Sequence, residues 1–242
     1  MGLRILLAGA SGAIGRRLTP LLLNAGHSVV GTTRADEGVR VLRALGAEAV
    51  IVDALDADGL AHVVSKARPD IVINQLTALG GADPARLAEA SVRNAHLRGV
   101  GGPNLVNAAL AAGARRLICQ SITWAYAPGS TPRLESDPLD IAAEGGRAIT
   151  VQAVIALERA VLGSSPLEGI VLRYGQLYGP GAANAAPEGK SPLHIDAASY
   201  AALLAIDHGG PGIFNIAEPN DQVATDKARA ELGWRADFRL PA

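Results

Sequence analysis

The chain alternates short apolar runs with segments in which apolar residues recur at helical spacing. The short runs are four to seven residues long and predict strands that are covered on both faces of a parallel sheet. The predicted strands cover residues 3–8, 27–33, 49–52, 70–74, 115–121, 170–174 and 213–216. The predicted helices cover residues 13–25, 36–45, 57–67, 85–112, 140–162, 197–206 and 225–232. This alternation predicts an α/β fold, a Rossmann-type doubly wound parallel sheet of about seven strands.

Three glycines spaced three apart directly follow the first predicted strand. Gly9 would allow a tight turn, Gly12 would let the backbone approach a pyrophosphate, and Gly15 would let the next helix pack closely on the strand. The free N–H groups and the positive dipole end of that helix face the loop. We therefore predict a dinucleotide-binding loop, with a structural glycine turn as the alternative.

The tip of the second predicted strand bears on the choice of cofactor. An NAD site would offer an acidic residue there for the ribose 2′-hydroxyl, whereas this tip carries Thr32, Thr33 and Arg34. An arginine at this point suits the 2′-phosphate of NADP, so NADP is predicted. NAD stays the alternative, because Arg34 could be a solvated loop charge and Asp36 could still hold a ribose.

The ends of the next two strands complete the predicted cofactor site. Asp53 follows the third strand, where the loop passes the adenine, while Asp56 or Asp58 is expected to cap the next helix. Ligands of open parallel sheets gather at the carboxyl edge, where Gln75 follows the fourth strand. The residues assigned to the cofactor are Gly9, Ser11, Gly12, Ala13, Ile14, Gly15, Arg34, Asp53, Ala54, Gln75, Leu76 and Thr77.

Composition narrows the class of partner. The 242 residues are 49% hydrophobic, yet no apolar run reaches the roughly 18 residues of a membrane span, so no membrane association is predicted. The net charge of -1 and the lack of a Lys/Arg-rich run argue against nucleic acid, which leaves a small-molecule substrate. We expect a cytoplasmic protein, because the first strand begins by Leu3 and leaves no room for a signal peptide. We also expect a single domain, with residues 1–165 as the dinucleotide-binding core and 166–242 as a mixed C-terminal part.

An unusually aromatic segment follows the fifth predicted strand. It places Trp124 and Tyr126 beside Ser121 and Thr123 in a chain that is only 3% aromatic. This composition at the carboxyl end of a strand indicates either a pocket wall or a buried hydrophobic corner. Cys119, within the strand itself, is interpreted as a small buried hydrophobe.

Two helices carry signals at particular positions. Three glycines and Pro103 lie in the middle of the predicted helix 85–112, which predicts a kink or a break there. Asp196 is expected to cap the helix that follows it.

The order of these motifs resembles the short-chain dehydrogenase/reductase superfamily, in its extended branch of NAD-dependent epimerase/dehydratase-like proteins and their atypical relatives. The likeness is carried by the Gly9-x-x-Gly12-x-x-Gly15 loop, Asp53, Gly101-Gly102-Pro103-Asn104, segment 121–126, Leu172-Arg173-Tyr174-Gly175, Tyr178-Gly179-Pro180-Gly181, 194–196 and 227–234. The resemblance implies a homodimer formed through helices 85–112 and 140–162. Because regions 181–192 and 219–225 are short, it also implies a small, shortened C-terminal substrate lobe with a shallow or open pocket.

The chain departs from this family at the usual proton donor. Relatives carry a Tyr and, four residues later, a Lys that lowers the pKa of the Tyr and holds the nicotinamide ribose. Glu158 matches the acidic residue four after that Lys, which puts Thr150 and Val154 in the two positions. No Tyr-x-x-x-Lys occurs in the sequence, and the usual catalytic Ser or Thr falls on Ile122.

Four nearby side chains are the candidate catalytic residues in place of the missing pair: Ser121, Thr123, Tyr126 and Tyr174. For each of them, packing or strand-end hydrogen bonding is the alternative. His194 precedes a helix, where a surface or capping role is expected. The remaining histidines show no metal-ligand spacing, so no metal is predicted.

Two hypotheses for function follow from the resemblance and its departures. The first is an NADP-dependent oxidoreductase or epimerase/dehydratase-like enzyme with an atypical site, in which the cofactor supplies the hydride chemistry. The alternative is a non-catalytic NADP-binding redox sensor or scaffold of the NmrA-like kind, which the loss of the Tyr and Lys favours.

Overall fold

The computed structural model describes residues 2–79 and 88–241 in full, and it describes the backbone alone of Leu87. Its strands are β1 (Arg4–Ala8), β2 (Ser28–Thr33), β3 (Glu48–Ile51), β4 (Ile71–Asn74), β5 (Arg116–Ile122), β6 (Glu168–Tyr174), β7 (Gln176–Tyr178), β8 (Pro192–His194) and β9 (Gly212–Ile216). Its helices are α1 (Ala13–Asn24), α2 (Asp36–Ala44), α3 (Ala57–Ala67), α4 (Leu87–His96), α5 (Gly102–Ala111), α6 (Gly145–Leu162), α7 (Ile195–Leu204) and α8 (Asp226–Leu232).

Within the described residues, seven of the strands form one parallel sheet in the order β3-β2-β1-β4-β5-β6-β9. The direction of strand addition reverses between β1 and β4, because β2 and β3 lie on one side of β1 and the later strands lie on the other. Such a switch point opens a crevice at the carboxyl ends of the strands. The predicted Rossmann-type sheet of about seven strands is confirmed.

Helices cover both faces of the sheet, which explains why its strands are continuously apolar. Ile5 and Leu7 face one side and share a core with α1, α7 and α8, whereas Leu6 and Ala8 face the other and share a core with α3, α5 and α6. Successive β1 residues therefore serve opposite layers, as a strand period of two requires. Within the described residues, no helix has both the length and the apolar sequence that a bilayer crossing requires.

The longest predicted helix is interrupted in its middle. A π-helical turn, Leu97–Gly101, separates α4 from α5. The helix packs closely on α6 just after this turn, since a Cβ on Gly102 would lie 2.2 Å from Leu157 Cδ1 and would displace that side chain. The predicted irregularity coincides with this π-helical turn, through which the backbone stays helical.

The start of α6 lies at Gly145, so its predicted start at Asp140 is wrong. The Asp140 N–H donates to the Ala125 carbonyl oxygen at 2.9 Å, and the Asp140 carboxylate accepts from Arg147 Nε at 2.8 Å. These long-range bonds hold Asp140 against the segment that follows β5 and out of the helix.

His194 caps α7, so the prediction that Asp196 would cap it is wrong. The Asp196 N–H donates to His194 Nδ1 at 3.1 Å. The buried Asp196 carboxylate accepts instead from Arg17 Nε at 2.7 Å and from the Leu240 N–H at 3.0 Å. Its oxygens are therefore committed to α1 and to the C-terminal segment, and the capping role expected for His194 is confirmed.

Candidate functional site

A cavity of about 510 Å³ lies at the carboxyl ends of β1 to β4. Its wall includes Gly9, Ser11, Gly12, Ala13, Arg34, Asp53, Ala54, Gln75, Leu76 and Thr77. These are all but two of the residues predicted to bind the cofactor. The other two, Ile14 and Gly15, lie buried behind the wall in the first turn of α1. One cavity thus collects side chains and backbone from four separate strand ends.

The backbone of the glycine loop leaves little room for side chains. Gly9 has a φ of 78°, and a Cβ there would lie 2.5 Å from the Gln75 carbonyl oxygen. A Cβ on Gly15 would lie 2.4 Å from the Ala10 carbonyl oxygen, so α1 packs directly on the loop. At Gly12 a Cβ would meet only the Gly9 carbonyl oxygen, at 3.2 Å, and would otherwise enter the cavity.

The start of α1 has the character of an anion site. Its N-cap residue is Gly12, so no side chain caps the first N–H groups, and the first turn holds no acidic residue. The positive end of the helix dipole therefore faces the cavity uncompensated. This arrangement fits the pyrophosphate of a dinucleotide.

Two arginines line the same cavity, Arg16 from α1 and Arg34 from the tip of β2. Arg16 Nε donates to the Ser11 carbonyl oxygen at 2.7 Å. Arg34 is exposed, and the described residues supply no hydrogen-bond or ion-pair partner for it. Asp36, the alternative ribose ligand, is absent from the cavity wall. The β2 end of the cavity is therefore positively charged.

Asp53 and Asp56 lie in different surroundings. Asp56 Oδ1 accepts from the Gly59 N–H at 3.0 Å and caps α3. Asp53 lies on the cavity wall, where its Oδ1 accepts from the Leu55 N–H at 3.0 Å. The capping role of Asp56 is confirmed, and the contact of Asp53 with adenine stays a prediction.

Gln75 presents an unpaired acceptor at the cavity. The Tyr174 hydroxyl donates its one proton to the Ala198 carbonyl oxygen at 3.0 Å, so it can only accept from Gln75. Gln75 Nε2 donates to it at 3.4 Å, which fixes the orientation of the amide. Gln75 Oε1 is then left buried with no donor. Because a buried polar atom without a partner is costly, this oxygen fits a ligand that brings a hydroxyl or an N–H group.

Two of the four candidate proton donors lie in the core. Burial raises the pKa of Tyr174, which lines neither this cavity nor the second one described below. The Ser121 hydroxyl is fully buried and donates to Glu158 Oε1 at 2.6 Å. Arg173 donates to the same carboxylate through Nε at 3.0 Å and Nη2 at 2.6 Å. Ser121 therefore belongs to a buried ionic network rather than to an open site.

Thr123 and Tyr126 line a second cavity of about 350 Å³ at the carboxyl ends of β5 and β6. The Tyr126 hydroxyl donates to Asn215 Oδ1 at 2.7 Å, and burial raises the pKa of this phenol. Thr123 Oγ1 lies 3.0 Å from Ser191 Oγ. The other side chains on this wall include Trp124, Arg133, Arg147, Gln176 and Lys190. Trp124 thus forms part of a pocket wall, one of the two outcomes predicted for it.

The positions of the missing Tyr and Lys hold neither a phenol nor a cation. Thr150 is half-buried on α6, and Val154 is fully buried one turn later. Arg98, in the π-helical turn, is buried near Glu158 and Cys119, and burial lowers its pKa to about 10. Cys119 is buried as predicted, and burial raises its pKa to about 12.

The sequence patterns missed Gln176 and Lys190. Gln176 and Lys190 lie in or beside the short strands β7 and β8, which are three residues each and too short to show a period. Within the described residues, no cluster of His, Cys, Asp and Glu side chains has an arrangement that could hold a metal ion.

A model of the NAD dependent epimerase/dehydratase family matches residues 5–217. The chain belongs to this family. It is 43% identical over 237 residues to 3-diazoavenalumate denitrifying reductase from Streptomyces sp, a match that covers 95% of this chain and 72% of that protein. It is 32% identical over 183 residues to dTDP-4-dehydrorhamnose reductase from Streptomyces griseus, a match that covers 75% of this chain and 52% of that protein.

Solved structures show the same fold at lower identity. UDP-glucose 4-epimerase from Thermus thermophilus in complex with NAD has a TM-score of 0.77 and is 19% identical, with 98% of this chain and 95% of that chain covered. The resemblance to NAD-dependent epimerase/dehydratase-like proteins is confirmed by the family match.

Proposed function

We propose that the protein is a nicotinamide-dependent reductase that delivers hydride to a small electrophilic substrate without a proton donor from the protein. One contrast carries the proposal. The cavity at β1 to β4 offers the glycine cradle, the uncapped start of α1 and the unpaired Gln75 Oε1, all of which fit a dinucleotide. In α6, however, Thr150 and Val154 stand where similar enzymes carry the Tyr and Lys that move a proton.

A diazonium compound as the hydride acceptor is consistent with both a cofactor cavity and the absence of the Tyr and Lys. When bound, the reduced nicotinamide supplies a hydride, and the balanced reaction R–N₂⁺ + NAD(P)H → R–H + N₂ + NAD(P)⁺ takes up no proton. A carbonyl acceptor would instead need a proton on its oxygen, which a positioned acid usually provides. The relative named as a denitrifying reductase of a diazo compound supports this substrate class. The substrate proposed here is therefore an aromatic diazonium compound.

The side chains of this protein would act by binding and shielding. Gln75 Oε1 would accept a hydrogen bond from a hydroxyl or amide group of the bound cofactor. The hydroxyls of Ser121 and Tyr126 donate their hydrogen bonds to Glu158 and Asn215, so they are not directed at a substrate. Trp124, at 39% exposure, would cover one side of the acceptor.

NADP is the proposed cofactor, with NAD as the second choice. Arg34 lies on the cavity wall with no partner among the described residues, and Arg16 adds a second guanidinium. A 2′-phosphate placed there would gain charge-assisted hydrogen bonds that NAD cannot make.

Isotope transfer tests the proposed reaction. The protein is mixed with an arenediazonium salt and NADPH that carries deuterium at the transferred position, and the arene is analysed by mass spectrometry. We expect protein-dependent release of N₂ with deuterium from one face of the cofactor on the product carbon. In D₂O with unlabelled NADPH, no deuterium should enter that carbon. Label from solvent would contradict the proposal.

A non-catalytic NADP-binding sensor is the second candidate, favoured by the internal hydrogen bonds of Ser121, Tyr126 and Tyr174. It predicts saturable NADPH binding with no consumption above a protein-free control, for diazonium salts, aldehydes, ketones, quinones and sugar nucleotides alike. That outcome would reject the reductase.

We also propose a homodimer formed through α4 and α6. These helices contact each other and expose Val92 and Ile149, at 53% and 48%. Analytical ultracentrifugation tests this, and a monomer at micromolar concentration would contradict it.

A further inference from the structure

We infer that the second cavity binds the carboxylate of an aromatic acid through Lys190 Nζ and Gln176 Nε2. The inference specifies the substrate of the reductase proposed above, and it rests on that function only in assigning the ligand a reaction. Its structural basis is a pair of hydrogen-bond donors without acceptors, beside aromatic side chains, in a cavity of about 350 Å³.

The first donor is fixed by the hydrogen bonds of Gln176. Its Oε1 accepts from the Ser191 N–H at 3.0 Å and from the Ser191 hydroxyl at 2.9 Å. A backbone N–H can only donate, so the carbonyl oxygen of Gln176 must face Ser191. The amide Nε2 of Gln176 then points elsewhere, and the described residues give it no acceptor.

The same chain of bonds also assigns the proton of Thr123. Because the Ser191 hydroxyl gives its proton to Gln176, the Thr123 hydroxyl must donate to Ser191 Oγ in their 3.0 Å contact. Thr123 is 3% exposed and Ser191 is 4% exposed, so this arrangement is shielded from water. The buried bonds hold Gln176 in one orientation before any ligand arrives.

The second donor is Lys190, next to Ser191 in sequence. It lines the cavity, and the described residues supply no partner for its ammonium group. The two other cations on this wall are already engaged. Arg147 donates to Asp140, and Arg133 donates to the Ala127 carbonyl oxygen.

Two acidic groups of this region are paired with the arginines. Asp140 pairs with Arg147 at 2.8 Å, and Asp137 lies 3.9 Å from Arg133. The cavity wall itself contains no Asp or Glu. A ligand group that only accepts hydrogen bonds and carries a negative charge satisfies both free donors, and a carboxylate is such a group.

The walls indicate the rest of the ligand. Trp124 is partly exposed on the cavity, and Tyr126 lies beside it. Flat aromatic surfaces favour a flat aromatic ligand. The volume lies at the lower end of the roughly 300–1,000 Å³ range of small-molecule pockets, which suits one ring with a short acid chain.

The position of the cavity connects it to the proposed reaction. It lies over β5 and β6, and the dinucleotide cavity lies over β1 to β4 of the same sheet edge. β4 and β5 are neighbours, so the two cavities lie at adjacent strand ends.

Direct binding, without cofactor or turnover, tests the site. The probe is 4-hydroxycinnamate, with its neutral primary amide as the matched ligand, titrated by calorimetry. We expect the acid to bind saturably and at least about tenfold more tightly than the amide, as the loss of a charge-assisted hydrogen bond implies. Its affinity should fall with added salt, because Lys190 is near the surface.

Variants assign the effect to the two donors. Lys190→Met should weaken the acid by about tenfold and leave the amide unchanged, whereas Gln176→Leu should weaken both ligands because it also removes the acceptor for Ser191. Lys190→Arg should retain binding, and Lys66→Met, an exposed lysine on α3, is the control that should have no effect. Equal affinity for acid and amide, or full binding by Lys190→Met, would overturn the inference.

Failure of this site and failure of the proposed function give different results. If the acid binds as described and NADPH is never consumed, the site stands and the reductase falls. If diazonium acids are reduced and Lys190→Met leaves their KM unchanged, the reductase stands and the site falls.

Discussion

The two halves of the sheet edge differ in which polar groups they leave for a ligand. At the ends of β1 to β4, the first turn of α1, Arg34 and Gln75 Oε1 have no protein partner among the described residues. At the ends of β5 and β6, the Ser121 and Tyr126 hydroxyls are bound inside the protein. The first half is thus preorganised to hold a dinucleotide, whereas in the second half the strand-end hydroxyls are bound internally and the free donors among the described residues are Lys190 and Gln176.

The largest expected effect tests whether the buried network of Ser121, Glu158 and Arg173 stabilises the fold. Glu158→Ala leaves the buried guanidinium of Arg173 without its carboxylate, so we expect it to lower the free energy of unfolding by about 3–5 kcal/mol. Urea unfolding measures the change. The control Glu48→Ala removes the exposed pair with Arg4 and should cost under about 1 kcal/mol. Equal costs for the two variants would mean that the network is not structural.

Filling the dinucleotide cavity should remove binding and leave the fold intact. Gly12 has extended backbone angles that valine adopts, and a Cβ there meets only one atom within 4 Å. Gly12→Val should weaken NADPH by roughly 100-fold, about 2.7 kcal/mol, with a Tm close to that of the parent. Fluorescence titration and thermal unfolding measure the two quantities.

The matched variant Gly15→Val should affect folding rather than NADPH binding alone. Its side chain would collide with the backbone of Ala10, so the folded state itself should be lost. NADPH binding by Gly12→Val at parental affinity would refute the placement of the pyrophosphate.

Arg34 is expected to set the preference for NADPH over NADH. We expect Arg34→Ala to weaken NADPH about tenfold and to leave NADH unchanged, because only the 2′-phosphate meets the guanidinium. Arg40→Ala, an exposed arginine on α2 away from the cavity wall, is the control. Equal affinities of NADPH and NADH in the parent protein would remove the basis for NADP.

The smallest expected effect concerns Tyr126. Burial raises the pKa of its phenol above the ordinary value near 10, so the group stays protonated between about pH 6 and about pH 9. Tyr126→Phe should therefore change kcat less than about threefold, and the rate should show no phenol ionisation over that interval. A loss of roughly 100-fold, or a pH break that disappears in the variant, would make Tyr126 the proton donor.

The cofactor half could be predicted because its chemistry is local in sequence. The three glycines, the strand before them and the helix after them lie within one continuous segment, and each strand end was visible as the end of an apolar run. Parallel strands bring their carboxyl ends to one edge, so Arg34, Asp53 and Gln75 were expected to meet there.

The hydrogen-bond partners at the ends of β5 and β6 could not be predicted in the same way. Tyr174 follows an apolar run just as a site residue would, and only packing against α7 shows that its hydroxyl is used by Ala198. Asp140 has a helical pattern around it, and its bond to Arg147 keeps it out of α6. The bonds to Ser191 that orient Gln176 depend on two strands too short to show a period.

By itself, the sequence determined the sheet, the glycine loop, the absence of a Tyr-x-x-x-Lys pair and the family resemblance. All of these depend on residue type and short spacing. Only the tertiary structure decided which polar groups are still free. The Tyr126 hydroxyl is hydrogen-bonded to Asn215, 89 positions away in sequence, and the Ser121 hydroxyl is hydrogen-bonded to Glu158, 37 positions away. Whether a hydroxyl can act on a ligand depends on burial and on such distant partners, and the fold alone sets both.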